Sequence, residues 1–232
     1  MLYITQPTYF PWIGFFAFIQ NSKKVVLLDD VQFVRGKWQQ RNKIYKGETY
    51  QYLTIPVKKK NLYKQKLSDV VINEIFYEKH LEIIRHTYSK SKYFSQIFKE
   101  LQSLKSEIIK TKKLVQINLI IIKKILNLMN INVDIQISSD LKTQGIKSQK
   151  LANICKKLGQ IDLLNNEGSK EYIMNDKNIF LKNNINLFFF KYEPVKYSQP
   201  GKKFVSNLSI IDLLFNEGVD CYEILQKGLK KI

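Results

Sequence analysis

Three groups of residues in this 232-residue chain carry side chains suited to chemistry. Asp29 and Asp30 are adjacent acids that close an apolar run. Such a pair can bind a divalent cation or a ribose hydroxyl, or one member can act as general base once desolvation and its charged neighbour raise its pKa. The plain alternative is that one caps the next turn and the other is solvated. Gln6, just past the first apolar run, can fix a substrate carbonyl or amide instead of satisfying its own loop. From 35 to 43, Arg35, Trp38, Arg41, Asn42 and Lys43 set cations and amides around an indole. That is the composition of a loop that grips phosphate or a nucleotide, with a solvated loop as the rival.

Other residues add to these groups. Gln32 follows the acid pair, and Tyr9, Trp12 and Gly14 can form a stacking floor or simply belong to the core. His80 shares a helical face with Leu81 and Ile84, as a buried helix histidine or an acid–base group. Gly168 and Ser169 before Tyr172 make a small-residue turn where backbone can approach a ligand. Tyr197, Gln199 and Asp212 are further polar or aromatic candidates. Cys155 and Cys221 are isolated, and His80 and His86 lack the spacing of a helical zinc site, so no protein-held zinc is expected. The sequence specifies no cofactor.

The elements that must hold these residues follow from hydrophobic periodicity. Strands are expected at 2–5, 24–28, 50–57, 133–137 and 161–164, with a fully buried one at 185–192. Helices are expected from Pro11 to about Asn21, through 75–100, over 112–130, from an N-cap at Ser148 to Gly159, at 176–183 and from Ser209 to Phe215. This is an α/β pattern: a mostly parallel, Rossmann-like sheet with helices on both faces and a helical middle segment. The chain reads as one domain, 1–232, with 75–131 as a helical insertion. Ligands of such sheets collect beyond the carboxyl ends of the strands. The polar clusters at 6–9 and 29–32 would then face one crevice.

Charge narrows the partners. The net charge is +18, and Arg35 to Lys66 alone holds ten basic residues against Glu48. Anionic partners fit this balance. The rival explanation is AT-rich coding bias, since 35 of the 38 basic residues are lysine amid abundant Ile and Asn. The most apolar stretch, Leu114 to Ile122, contains Gln116 and Asn118 and is far shorter than the ~20 residues of a membrane span. No secretory signal opens the chain, so it is expected to stay in the cytoplasm.

The sequence resembles the WbqC-like protein family. The residues that carry the resemblance are QPTYFPWIGFF at 6–16, LLDDVQF at 27–33, WQQRNKI at 38–44 with LTIPV at 53–57, HLEII at 80–84 with KYF at 92–94, and LSIIDLLFNEG at 208–218. The resemblance implies a bacterial protein encoded among genes for O-antigen or capsule synthesis, transferring an amino acid, glycine in particular, to an amino sugar. Where the family has glycines before Tyr172, this chain has Asn165-Asn166-Glu167-Gly168-Ser169, so only Gly168 and Ser169 carry over. The opening is also distantly similar to nucleotidylyltransferase-like folds, but Pro11-Trp12-Ile13-Gly14 lacks their histidine, and adenylation by that route is not supported.

The expectation is a transferase of surface-polysaccharide synthesis that forms an amide on a nucleotide-activated amino sugar. Asp29 or Asp30 would orient or deprotonate the amine, Gln6 and Asn42 would place the acyl carbonyl, and Arg35, Arg41 and Lys43 would hold the diphosphate. The alternatives are an RNA-binding protein, a transferase drawing on an aminoacyl-tRNA, or a non-catalytic component of the polysaccharide machinery.

Overall fold

The computed structural model describes residues 1–58, 65–73 and 76–232. From the amino terminus, β1 (Leu2–Thr5) leads into α1 (Ile13–Gln20) and β2 (Lys24–Leu27). A hairpin follows, β3 (Arg41–Lys46) and β4 (Thr49–Thr54), then four helices: α2 (Tyr77–Tyr88), α3 (Phe94–Ser103), α4 (Lys105–Lys110) and α5 (Leu114–Leu128). The chain closes with β5 (Asp134–Ile137), α6 (Lys147–Lys157), β6 (Asp162–Asn166), α7 (Lys170–Asn175), α8 (Lys177–Lys182), β7 (Asn186–Tyr192), α9 (Ile210–Glu217), α10 (Tyr222–Gly228) and β8 (Leu229–Lys231).

The main sheet has the order β5-β2-β1-β6-β7-β8, parallel throughout except for β8, which runs against β7. Strand order reverses between β1 and β6, the topological switch point of an α/β sheet. The register there is short. Leu2 pairs with Leu163 and Tyr3 with Leu164, after which the strands part and β6 continues only beside β7. Alternation sorts the side chains: Tyr3, Val25, Leu27 and Leu164 face a core that includes α1, α5 and α9, while Leu2, Val26, Leu163 and Phe189 pack against Leu151, Ile154, Ile173 and Phe180 of α6 to α8. Each fully buried aliphatic chain contributes about 1.5–3 kcal/mol. Helix α1 is buried from Ile13 to Ile19, as befits a helix apolar on every side.

Several expectations change. Residues 41–46 are strand, not loop, because Gly47 (φ 49°) and Glu48 (φ 64°) both take the left-handed conformation of a tight hairpin turn. The strand expected at 50–57 pairs within that hairpin and stays outside the main sheet. The helical stretch is the crossover that carries the chain from β2 to β5, and its Ile84, Leu101, Ile117 and Ile121 share one buried cluster with α1. Ile75, its expected start, lies outside the described residues, as do Lys59, Lys60 and Lys64 of the basic segment. Ser148 is not an N-cap; it sits within α6, whose cap is Ile146. Only Phe189 of β7 is buried, since β7 lies one strand from the sheet edge.

Asp212 explains how the carboxyl-terminal part is anchored. Its buried carboxylate accepts hydrogen bonds from Tyr88 Oη (2.8 Å), Tyr197 Oη (2.7 Å) and Gln199 Nε2 (2.7 Å). Tyr88 Oη in turn accepts from the Tyr45 backbone N–H (3.1 Å), linking α9, α2 and β3. Burial raises the Asp212 pKa, opposed by its three donors. Asp212→Ala strands these donors without an acceptor and is expected to cost about 3 kcal/mol or more. Urea unfolding should show a lower midpoint at unchanged slope; an unaltered midpoint would refute the anchoring role.

Candidate functional site

Where β1 and β6 part, the structure opens a cleft of about 820 Å³. Its floor is Tyr3 and Thr5 of β1 beside Asn165 and Asn166, the last residues of β6. Burial raises the Tyr3 pKa, while hydrogen bonds with Thr5 and Asn166 lower it. Gln6, Thr8 and Trp12 come from the loop after β1, and Gly168, Ser169 and Tyr172 from the turn into α7. The segment after β2 brings Gln32, Lys37, Trp38 and Gln39; Asn42 and Lys43 open β3, and Asn207 completes the rim.

Amide side chains hold this wall in place. Gln39 Nε2 donates to Gln6 Oε1 (2.7 Å), and Gln39 Oε1 accepts from the Val34 N–H (3.0 Å). Gln6 therefore has its oxygen occupied and its amide nitrogen left as a donor. Phe10 is fully buried with φ 38°, a left-handed conformation that strains a bulky residue. Asn42 Nδ2 holds its carbonyl at 2.8 Å, and Asn118 Nδ2 reaches the carbonyls of Pro7 (3.2 Å) and Gln39 (2.8 Å). Thr8 Oγ1, on the cleft wall, is buried with no protein partner. Trp12 folds its indole over the first turn of α1, where a Cβ at Gly14 would stand 2.3 Å from the ring. Gly14 thus makes room for Trp12 and does not itself line the cleft.

The cleft gathers Gln6, Trp12, Gln32, Trp38, Asn42, Lys43, Gly168, Ser169 and Tyr172. Asp29 and Asp30 are not among its lining residues. Asp29 accepts from Ser139 N (2.9 Å) and Ser139 Oγ (2.8 Å), and its backbone N–H donates to Ser138 Oγ (3.2 Å), tying the ends of β2 and β5 together. Asp30 accepts from Ser138 Oγ and from Lys150 Nζ (2.5 Å). Burial raises the Asp30 pKa, but the Lys150 and Ser138 hydrogen bonds outweigh it and the net shift is downward. A carboxylate so held is a weak base. His80 is buried elsewhere, its Nδ1 2.8 Å from Tyr9 Oη and its ring against Phe76, with Tyr9 fully buried beside it. Arg35 is exposed, Arg41 lies over the Tyr52 ring, and Tyr197 and Gln199 belong to the Asp212 network.

Thr5, Thr8, Lys37, Gln39, Asn165, Asn166 and Asn207 join the site without having been singled out. Thr5 and Asn165–Asn166 end the strands that flank the switch point, which is the signal that would have found them. Among the described lining residues two are lysines and none is Asp, Glu, His or Cys, so the cleft is electropositive and rich in amides and hydroxyls. Among the described residues, no three His, Cys, Asp or Glu side chains gather to hold a metal ion, and no helix is long and apolar enough to cross a membrane.

A family model described as the WbqC-like protein family matches residues 6–224. Uncharacterized protein Rv1507c of Mycobacterium tuberculosis (strain ATCC 25618 / H37Rv) is 27% identical over 225 residues, covering 96% of each chain. No solved structure matches the chain.

Two outcomes follow from the placement of the titratable groups. Burial first, and then the Lys79 charge, lower the His80 pKa to about 4. The unfolded ring protonates near ~6.5, so this contribution to stability is complete above that pH and is lost as pH falls toward 4. By pH 5 about 2 kcal/mol is gone. His80→Gln should flatten stability between pH 7 and 5 by that amount, whatever its absolute stability; an unchanged profile would contradict the buried neutral ring. Asp30→Asn leaves the Lys150 ammonium without its counter-charge and should cost about 3 kcal/mol, partly recovered in Asp30→Asn/Lys150→Met. Equal melting of Asp30→Asn and the parent would show the pair to be inert.

Proposed function

We propose that the chain, which belongs to the WbqC-like protein family, is a transferase that places an amino acid or other acyl group, as an amide, on a nucleotide-activated amino sugar. The observation that carries this reading is the cleft at the switch point, whose described lining offers cations, aromatic rings and amides without an acid. Its volume falls within the ~300–1,000 Å³ of small-molecule sites. Lys37 and Lys43 are placed for a diphosphate and Trp38 for a base, while Asn165, Asn166 and Ser169 offer hydrogen bonds to sugar hydroxyls.

Amide formation needs a neutral amine and a donor for the oxyanion that develops on the acyl oxygen as the amine adds to the carbonyl carbon. The Gln6 amide nitrogen fills the second role, its orientation set by Gln39. Asn42 acts through the backbone, holding the strained loop that presents Gln6 and Thr8. In this reading Asp29 and Asp30 brace the strand ends behind the site, and the amine proton leaves to water or to the departing group of the acyl donor.

Mass spectrometry of reactions pairing UDP-glucosamine with glycine, in the presence of ATP or of charged tRNA, tests the reading directly. A sugar nucleotide heavier by one glycyl group is expected. Gln6→Ala should lower turnover about 100-fold with sugar-nucleotide affinity retained, and Lys43→Ala should weaken that affinity about tenfold. Full turnover in Gln6→Ala would remove its role, and absence of sugar-nucleotide binding by calorimetry would remove the function.

A further inference from the structure

The outer face of the β3–β4 hairpin presents a row of aromatic rings interleaved with cations. Trp38, Tyr50 and Tyr52 are 48%, 41% and 36% exposed. Tyr50 and Tyr52 stand 5.5 Å apart between ring centroids, and Trp38 and Tyr52 6.4 Å apart. The Arg41 guanidinium lies 4.1 Å from the Tyr52 centroid, and Lys43 Nζ lies 3.9 Å from that of Tyr50. Trp38 and Lys43 also line the cleft, whereas Arg41, Tyr50 and Tyr52 are not among its lining residues.

Single exposed rings are ordinary on a protein surface, but three grouped on one face beside cations form a patch of the kind that marks a binding surface. Rings in succession on a β surface, each beside a cation, match the needs of unpaired bases joined by phosphates: π-faces for stacking and positive charge for the backbone. A duplex presents no free base faces to such a row. A single nucleotide at the cleft would occupy Trp38 and leave Tyr50 and Tyr52 unused.

We propose that this row binds the single-stranded end of an RNA, with its terminal ribose at the cleft. As a binding surface the inference stands alone; as the route of the acyl donor it rests on the transferase reading. An amino acid esterified to that ribose is already activated. The sugar's amine attacks the ester carbonyl, the C–N bond forms as the ester C–O bond breaks, and the amine proton passes to the departing ribose oxygen. No further reactant is needed. The same balance accounts for a cleft whose described lining holds no carboxylate, imidazole or thiol base.

The test is fluorescence anisotropy with a labelled single-stranded RNA dodecamer and its duplex at about 50 mM salt, where phosphate contacts are strongest. Calorimetry with UDP-glucosamine runs in parallel. The single strand should bind more tightly than the duplex. Tyr50→Ala/Tyr52→Ala should weaken it tenfold or more while UDP-glucosamine binding is unchanged, and Tyr50→Phe/Tyr52→Phe, which keeps the π-faces, should restore it. No RNA binding, equal binding of duplex and single strand, or parental affinity in the alanine variant would each overturn the proposal. RNA binding without UDP-glucosamine binding would instead sink the transferase reading and leave the row intact.

Discussion

Two parallel strands that separate after two residue pairs set the layout of the whole site. β1 and β6 stay in register only through Tyr3 and Leu164, because the chain leaves them toward opposite flanks of the sheet. The connection from β1 turns to β2, and the one from β6 turns to β7. Between the diverging loops the backbone cannot fill space, and the strand ends expose Thr5, Asn165 and Asn166 to a common opening. Every other wall is brought to that gap by a different connection.

The polar groups of the site are arranged for donation more than for proton transfer. The acids nearest in sequence are turned away from the gap to join strands: Asp29 clasps Ser138 and Ser139, and Asp30 clasps Lys150. Each would be costly to leave unpaired, and each is paired. Amides take their place on the cleft wall, where Gln39 and Asn42 tie down the Gln6 and Phe10 loop. A buried amide network of this kind keeps a strained segment from relaxing, which is the condition for presenting fixed donors to a developing charge.

The surplus of positive charge gains a location from the fold. Lys37 and Lys43 line the cleft, Lys43 also lies over Trp38 and Tyr50, and Arg41 lies over Tyr52. Coding bias can supply lysines; it does not bring Trp38, Tyr50 and Tyr52 into a row beside them. That order comes from the two-residue turn at Gly47 and Glu48, which sets the register pairing Lys43 with Tyr52 and Tyr45 with Tyr50.

Local chemistry was legible in the chain. Apolar runs such as 24–28 and 185–192 announce strands, the glycine at 159 stops a helix, and Ser209 caps α9. These signals act over a few residues, so the alternation of strands and helices, and hence a parallel sheet covered on both faces, could be read directly. The hairpin was harder, since a Lys-rich stretch looks like loop until its turn is recognised. Which polar residues share a cleft could not be read, because their partners are distant in the chain. Asp30 meets Lys150 across 120 positions, and Asn118 reaches the carbonyl of Pro7 across 111. Strand order and the crossover helices select such partners, and they respond to the packing of the whole core, so the adjacent acids pair with distant residues as struts while Asn165 and Asn166, set aside in the sequence because they replace glycines, line the cleft.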